Sequence, residues 1–289
     1  MKVFLTGCNG QLGRELSKQL KEQGTEFVGY DIPEFDITDK EGMKRIIDKE
    51  NPDFIINCGA MTNVDGCESQ REAAMAINGE GPGKLAAIAK EKDITMVHVS
   101  TDYVFDGNGI MEDGALRPYL ESDPIDPKTV YGESKALGEK NVSETLDKYF
   151  IVRTAWLYGD GNNFVKTMLK LAKTHDSLTV VSDQVGSPTS TVDLARAIIA
   201  LMKTDKYGLY HGTCEGQCSW YDFAKKIFEL SQVDIAVSPV SSEEYVSKTP
   251  RPKYSVLENS GLKSLCINVF RPWEESLVDY LKWLAAQEA

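Results

Sequence analysis

The apolar positions of this chain alternate between short unbroken runs and stripes at helical spacing. Val3-Phe4-Leu5 is a run suited to a strand buried on both faces, and Leu12, Leu16 and Leu20 then recur with a helical period. The alternation repeats. A second strand is predicted at Glu26–Tyr30, a helix over 43–47, and a third strand at Phe54-Ile55-Ile56. A helix from about 68 to 91, interrupted near Gly79 and Gly83, leads to a fourth strand over 94–99. Another helix opens at Tyr131 and runs to about 146, ahead of a fifth strand over 149–152. This strand–helix order with near-continuous apolar strands predicts an α/β fold: a doubly wound, Rossmann-type parallel sheet covered on both faces.

Beyond about 160 the pattern turns mainly helical. An amphipathic helix is predicted over 165–172, a short strand over 178–181 and a loop over 183–189, with helices near 191–202, 219–230 and 273–285. Two parts with interleaved boundaries follow: a dinucleotide-binding part, 1–158, and a smaller, mainly helical substrate-binding part, 159–289, wrapped onto it. The stretch 106–128, rich in Gly, Pro and acidic residues, reads as a flap. Pro250-Arg251-Pro252-Lys253-Tyr254 reads as a rigid basic turn.

Three stretches carry chemistry. Thr6-Gly7-Cys8-Asn9-Gly10-Gln11-Leu12-Gly13 follows the first strand directly. Glycines at Gly7, Gly10 and Gly13 permit a positive φ, close approach of the backbone to a pyrophosphate, and tight helix-on-sheet contact. The helix that follows turns its free N–H groups toward the phosphates. A stray glycine triplet is the bland alternative, and its place after the first strand favours nucleotide binding. Asp31 ends the second strand, where a carboxylate suits a ribose 2′-OH and repels a 2′-phosphate. NADH is therefore expected over NADPH, with NADPH still open. Asp36-Ile37 lies in the next loop, a place for the adenine. Small residues in Asn57-Cys58-Gly59-Ala60-Met61-Thr62 let a ligand approach the end of the third strand.

The remaining stretches are Ser100-Thr101, which closes the fourth strand, and Tyr131-Gly132-Glu133-Ser134-Lys135. One helical turn puts the Tyr131 phenol and the Lys135 ammonium on one face. A tyrosine titrates near pH 10, and a nearby cation is expected to lower that and make a tunable acid/base. Alone, such a pair is a common solvated helix decoration, and Thr101 alone is a strand-end hydroxyl capping a turn. Their order after a glycine turn gives them meaning: Tyr131 as proton donor to a carbonyl, Thr101 bonding the same oxygen, Lys135 holding a nicotinamide ribose.

Composition narrows the partners. A net charge of −12 argues against nucleic acid as a main partner. No apolar run reaches the length of a membrane span, and Met1 leads straight into a strand, so neither a membrane nor a signal peptide is expected. The six cysteines are scattered without paired spacing, which fits free thiols in the cytoplasm and no metal site. His98 sits in an apolar run and reads as a core strand residue.

These motifs resemble the extended short-chain dehydrogenase/reductase family. The resemblance runs nearly the whole length, through Gly10-Gln11-Leu12-Gly13, Ser100-Thr101-Asp102-Tyr103-Val104-Phe105, Asn162-Asn163-Phe164, Asp183-Gln184-x-Gly186-x-Pro188-Thr189 and Arg251-Pro252. It implies Thr101, Tyr131 and Lys135 as catalytic residues. It implies cofactor contacts from Gly7, Gly10, Gln11, Leu12, Gly13, Asp31, Asp36, Ile37, Ala60, Met61 and Thr62, besides Tyr131 and Lys135. On the substrate side it implies Thr101, Asp102, Phe105, Trp156, Asn163 and Arg251, the last as a guanidinium for a diphosphate. The implied reaction is reduction of the C4 ketone of a dTDP-4-dehydro-6-deoxy sugar, a small nucleotide-sugar substrate, and a homodimer is compatible with it. Met61 departs from the histidine or tyrosine common in relatives. A dehydratase or epimerase would share the trio, but dehydratases of the family carry Glu two positions after the Thr, where this chain has Tyr103. A second alternative is a non-catalytic relative resembling the regulatory subunit of methionine adenosyltransferase, against which the intact trio argues.

Overall fold

The protein is described by a computed structural model covering residues 1–245 and 247–288. Six parallel strands form the central sheet: β1 (Lys2–Thr6), β2 (Glu26–Tyr30), β3 (Phe54–Asn57), β4 (Thr95–Thr101), β5 (Tyr149–Thr154) and β6 (Gly208–His211). Their spatial order is β6-β5-β4-β3-β1-β2. The chain steps from β1 outward to β2, then crosses back to β3 on the other side of β1. That reversal opens a crevice at the carboxyl ends of β1 and β3, where ligands bind in open sheets of this kind.

Alternate residues of each strand feed opposite layers. Val3, Leu5, Ile56, Val97, Phe150 and Val152 point into one core, against Leu12, Leu16 and Leu20 of the helix Gln11–Glu22 and Leu194, Ile198 and Leu201 of the helix Thr191–Leu201. Phe4, Ile55, Met96 and Ile151 point into the other, against Met43, Ile47, Leu85, Ile88, Val142 and Leu146. Each face is covered, so the strands read as unbroken apolar runs. The sixth strand and the Thr191–Leu201 helix come from beyond residue 159, so the expected interleaving reaches the central sheet itself.

Where the sequence predicted one interrupted helix, the chain forms Val64–Ser69, Arg71–Ala74, a π-helical turn at Met75–Glu80 and then Gly81–Glu91. This run packs closely on the helix Val130–Thr145. A Cβ at Gly138 would sit 2.2 Å from the Asn78 carbonyl oxygen, and one at Gly79 2.7 Å from Leu137 Cδ2. Bare glycines thus let the Tyr131-bearing helix lie at backbone distance from its neighbour.

The stretch 106–128 is less free than its composition suggests. It contains an antiparallel hairpin, Ile110–Glu112 with Ala115–Arg117. Tyr119 anchors it: the ring stacks on Phe105, and its backbone pairs with Val256 and Glu258. A strand at Ala236–Val240, absent from the sequence expectation, pairs in parallel with Ser177–Val181. Among the described residues, no helix is long and apolar enough to cross a membrane.

Candidate active site

A cleft of 440 Å³ opens at the switch point, lined by the glycine turn, the ends of β3 and β4, and the start of the Val130–Thr145 helix. Its first wall is the turn after β1. Gly7 has φ +64°, and a Cβ there would lie 2.7 Å from the Gly59 nitrogen. A Cβ at Gly13 would lie 2.1 Å from the Gly7 carbonyl, so the helix can start only over a bare backbone. Gly10 caps that helix without a side-chain hydrogen bond, leaving first-turn N–H groups turned toward the cleft. A dinucleotide pyrophosphate fits this cradle by both shape and polarity.

Asp31 lines the far end of the cleft, where its carboxylate accepts from the Asn9 and Ile32 amides at 3.0 and 2.9 Å. Gln11 reaches the other way: its Oε1 accepts from the Gly159 amide at 3.0 Å and from Asn163 Nδ2 at 3.2 Å. Asn163 also caps the helix Phe164–Ala172 and donates to the Gly159 carbonyl and the Tyr280 hydroxyl. The structure therefore places Asn163 as a clamp behind Gln11 rather than on the cleft wall. Ala60 and Thr62 line the cleft. Asp36 binds its own loop through Thr38, which holds its carboxyl below the usual range, and Ile37 is buried in the core. The Met61 amide donates to Asn78 Oδ1, and the Met61 carbonyl accepts from Asn78 Nδ2.

Thr101, Tyr131 and Lys135 meet in the same cleft. β4 delivers Thr101 at its last residue. Thr129 caps the helix by accepting from the Gly132 amide at 3.1 Å, which fixes Tyr131 in the first turn and Lys135 in the second. Lys135 Nζ donates to the Val99 carbonyl at 2.7 Å. Burial pushes Lys135 down to about 8, against the pull of Glu139. Burial also raises the Tyr131 phenol above its ordinary value, while the Thr101 hydroxyl beside it works the other way. The sequence expectation that Lys135 would lower Tyr131 is corrected here. The ammonium is drawn back onto a strand carbonyl, and desolvation governs the phenol, so Tyr131 stays protonated.

Asp102 and Trp156 close the substrate side. Burial raises the Asp102 carboxyl to about 6; Oδ1 accepts from Thr101 Oγ1 at 3.0 Å and Oδ2 has no partner. Trp156 takes a left-handed backbone, φ +49°, and stacks on Trp220 with ring centroids 3.5 Å apart. These residues, with Gln184 and Arg251, line an adjoining cavity of 360 Å³. Arg251 pairs with Asp65 at 3.0 Å and points its second nitrogen to the Tyr103 hydroxyl at 3.5 Å. Phe105 is buried against Tyr119 and the Arg153 guanidinium, and it lines a second cavity, of 230 Å³, together with Tyr103 and Arg251. Sequence reasoning missed Asn78 and Trp220. Nothing local marks either one, because their partners arrive from distant parts of the chain. Among the described residues, no group of three or more His, Cys, Asp or Glu stands ready to hold a metal.

Comparison with known proteins identifies the family. The family described as RmlD substrate binding domain matches residues 1–286. The spore coat polysaccharide biosynthesis protein SpsK of Bacillus subtilis is 45% identical over 282 residues, 97% of each chain. A crystal structure of a dTDP-4-dehydrorhamnose reductase from Clostridium acetobutylicum superposes with a TM-score of 0.94 at 48% identity, covering 99% of this chain and 100% of that one. The dTDP-4-dehydrorhamnose reductase of Bacillus anthracis, solved in complex with NADP, gives 0.92 at 40% identity, over 97% and 98% of the two chains. By sequence and fold, this chain belongs to the RmlD family of Rossmann-fold reductases, the family of the dTDP-4-dehydrorhamnose reductases.

Proposed function

We propose that this enzyme reduces the C4 ketone of dTDP-4-dehydrorhamnose to give dTDP-L-rhamnose, a step of nucleotide-sugar biosynthesis for polysaccharide. The observation that carries the reading is the meeting of Thr101, Tyr131 and Lys135 in the cleft whose other wall is the glycine turn. Bound reduced nicotinamide dinucleotide supplies the hydride. The chain's own residues do the rest. The backbone around Gly10 and Gln11 holds the pyrophosphate. Tyr131 keeps its proton because it is desolvated, and delivers it to the carbonyl oxygen as negative charge develops there. Thr101 fixes the direction of that oxygen, and Lys135, anchored by Val99, is the residue to hold the nicotinamide ribose.

The sugar is assigned to the face formed by Asp102 and Trp156, with Arg251 beyond them on the diphosphate side, so residues after 159 contribute mainly to substrate. The cofactor is NAD(P)H; we infer that NADH is preferred, because the Asp31 carboxylate stands where a 2′-phosphate would be repelled. Cofactor oxidation with dTDP-4-dehydrorhamnose, followed by loss of its near-ultraviolet absorbance, tests both points. Tyr131→Phe should cut turnover by roughly 10²-fold or more, the usual scale for a general acid. Parent enzyme that binds NADH but turns over no 4-keto nucleotide sugar would defeat the assignment. A higher kcat/KM with NADPH than with NADH would overturn the cofactor preference alone.

A further inference from the structure

A chain of buried polar side chains runs beneath the cleft and ends on Lys135. Thr6, Asn57, His98 and Lys135 are each at most 2% exposed. The Gly59 amide donates to Thr6 Oγ1 at 3.2 Å, so that hydroxyl spends its single proton on Asn57 Oδ1, at 2.6 Å. Receiving that proton identifies Oδ1 as the carbonyl end of the Asn57 amide. The NH2 end then faces His98 Nδ1 at 3.1 Å and donates to it. An accepting Nδ1 puts the proton of the neutral imidazole on Nε2. That Nε2 lies 3.4 Å from Lys135 Nζ.

We propose that His98 is a positioning residue for the catalytic pair: Thr6 and Asn57 lock its imidazole in the Nε2–H form, and this N–H, aimed at Lys135 Nζ, keeps the amine from being a permanent ammonium. The proposal rests on the reading of Tyr131 and Lys135 given above. A neutral amine accepts the Nε2–H, whereas an ammonium opposes it, donor against donor. The separation is long for a hydrogen bond, so the amine changes protonation without leaving Val99.

Other groups around Lys135 set the opposite bias. Glu139 lies one turn on along its own helix and attracts the ammonium, while itself engaged by Ser100 of β4 and Arg153 of β5. Cys58, at the end of β3, carries a thiol pushed up to about 12 by burial, so it stays neutral. Tyr131, one turn earlier, remains a phenol. Burial is the main influence that opposes Glu139, and the His98 N–H, 3.4 Å from the amine, acts in the same direction. Burial together with the Lys135 charge keeps the imidazole well below its ordinary value, hence neutral and fixed in one tautomer. The amine so balanced titrates at about 8. Protonation of Lys135 can then follow the charge on Tyr131 during turnover.

Heteronuclear NMR of the imidazole nitrogens tests this on the intact enzyme, whose histidines are only three. His98, assigned by its loss in His98→Gln, should show Nε2–H with a bare Nδ1, and its resonances should shift as Lys135 titrates but not in Lys135→Met. An Nδ1–H tautomer, or a response unaltered by Lys135→Met, would overturn the proposal. Asn57→Asp presents an acceptor to Nδ1, so it should invert the tautomer and raise the basic limb of kcat/KM by about one pH unit or more. His98→Leu should lower kcat about tenfold with KM for NADH within about twofold, and His98→Gln, which can still present an amide N–H, should recover most of it. Equal kcat losses in the two variants would mark His98 as structural only and refute the idea. Full turnover in Tyr131→Phe would instead sink the catalytic reading, leaving the tautomer result standing.

Discussion

Replacing Glu139 with glutamine removes one charge from the best-buried ion pair near the site while leaving side-chain shape intact. Arg153 Nε and Nη2 donate to the two Glu139 oxygens at 2.9 and 2.7 Å, and Ser100 Oγ donates to Oε1 at 2.5 Å. The side chains of the pair are 4% and 8% exposed. A glutamine oxygen can still receive Ser100 and Arg153 Nε. Its NH2 would then face Arg153 Nη2, two donors in contact, with a buried guanidinium left uncompensated. Breaking a buried pair in this way costs about 3–5 kcal/mol. For a chain of 289 residues that lowers Tm by roughly 5–8 °C. Chemistry suffers in a separate way, because Glu139 is the charge that holds Lys135 up toward 8. Without it the lysine titrates lower, and the basic limb of kcat/KM moves toward neutral pH. Thermal melts and a pH profile on the same preparation check both effects. A Tm unchanged in Glu139→Gln, or a basic limb that moves upward, would show that Glu139 is not the counter-charge described here.

Two further substitutions probe the substrate side. Asp102 titrates at about 6 in the folded protein against an ordinary carboxyl value of 3.8, so the native state binds its proton more tightly than the unfolded chain does. Stability therefore falls as pH rises from about 4 to about 6, and Asp102→Asn should gain on the order of 1–3 kcal/mol at pH 8 and much less at pH 4, while losing turnover. Urea melts at the two pH values decide it, and an equal gain at both would count against a titrating Asp102. Gly186→Ala places a Cβ 2.4 Å from Trp156 Cε2, so the indole must leave its stack on Trp220. Its KM for the sugar nucleotide should rise roughly tenfold with that for NADH unchanged, a loss on the scale of an aromatic contact; a selective rise in the NADH value would mean that Trp156 serves the cofactor instead.

How much of this was legible before the fold was known depends on the range of the interactions. Strands β1, β3, β4 and β5 announce themselves because both faces are covered, which leaves largely apolar runs, and β2 shows through Phe27, Val28 and Tyr30 although it lies at the sheet edge. β6 does not: Gly208-Leu209-Tyr210-His211 is short, begins with glycine, and lies at the sheet edge beside β5. The strand Ala236–Val240 carries Pro239, which argues against a strand in sequence; it is tolerated in a two-stranded sheet with an open edge. The meeting of Thr101, Tyr131 and Lys135 in one cleft was legible because Tyr131 and Lys135 share one helix and Thr101 ends one strand. Arg251 reads as a basic turn in sequence, yet only the fold shows it crossing to Asp65 and Tyr103. Asn163 lies in a block that resembles substrate contacts, but its side chain is spent on Gln11, Gly159 and Tyr280. A conspicuous block marks where the chain is constrained, and the constraint can be packing as easily as ligand.

The division between wall and support also explains why the site can be precise at the open carboxyl end of a sheet. Thr101, Tyr131 and Lys135 project from two elements, β4 and the Val130–Thr145 helix, and two buried polar chains tie those elements together. One runs from Ser100 through Glu139 to Arg153, the other from Thr6 through Asn57 and His98 to Lys135. Between them they fix the helix to β1, β3, β4 and β5. A third tie runs from Met61 through Asn78 to Ser134, across the backbone contact that Gly138 permits. All three ties are buried, so each is costly to break and none yields readily to thermal motion. The substrate wall is built differently, from Trp156 in a left-handed backbone, Trp220 stacked on it, and Arg251 on a turn. In the function proposed above, the proton donor is held by the sheet, and the sugar is met by residues attached to loops. Substitutions of the second kind should therefore change which nucleotide sugar is reduced well before they change how the proton is delivered.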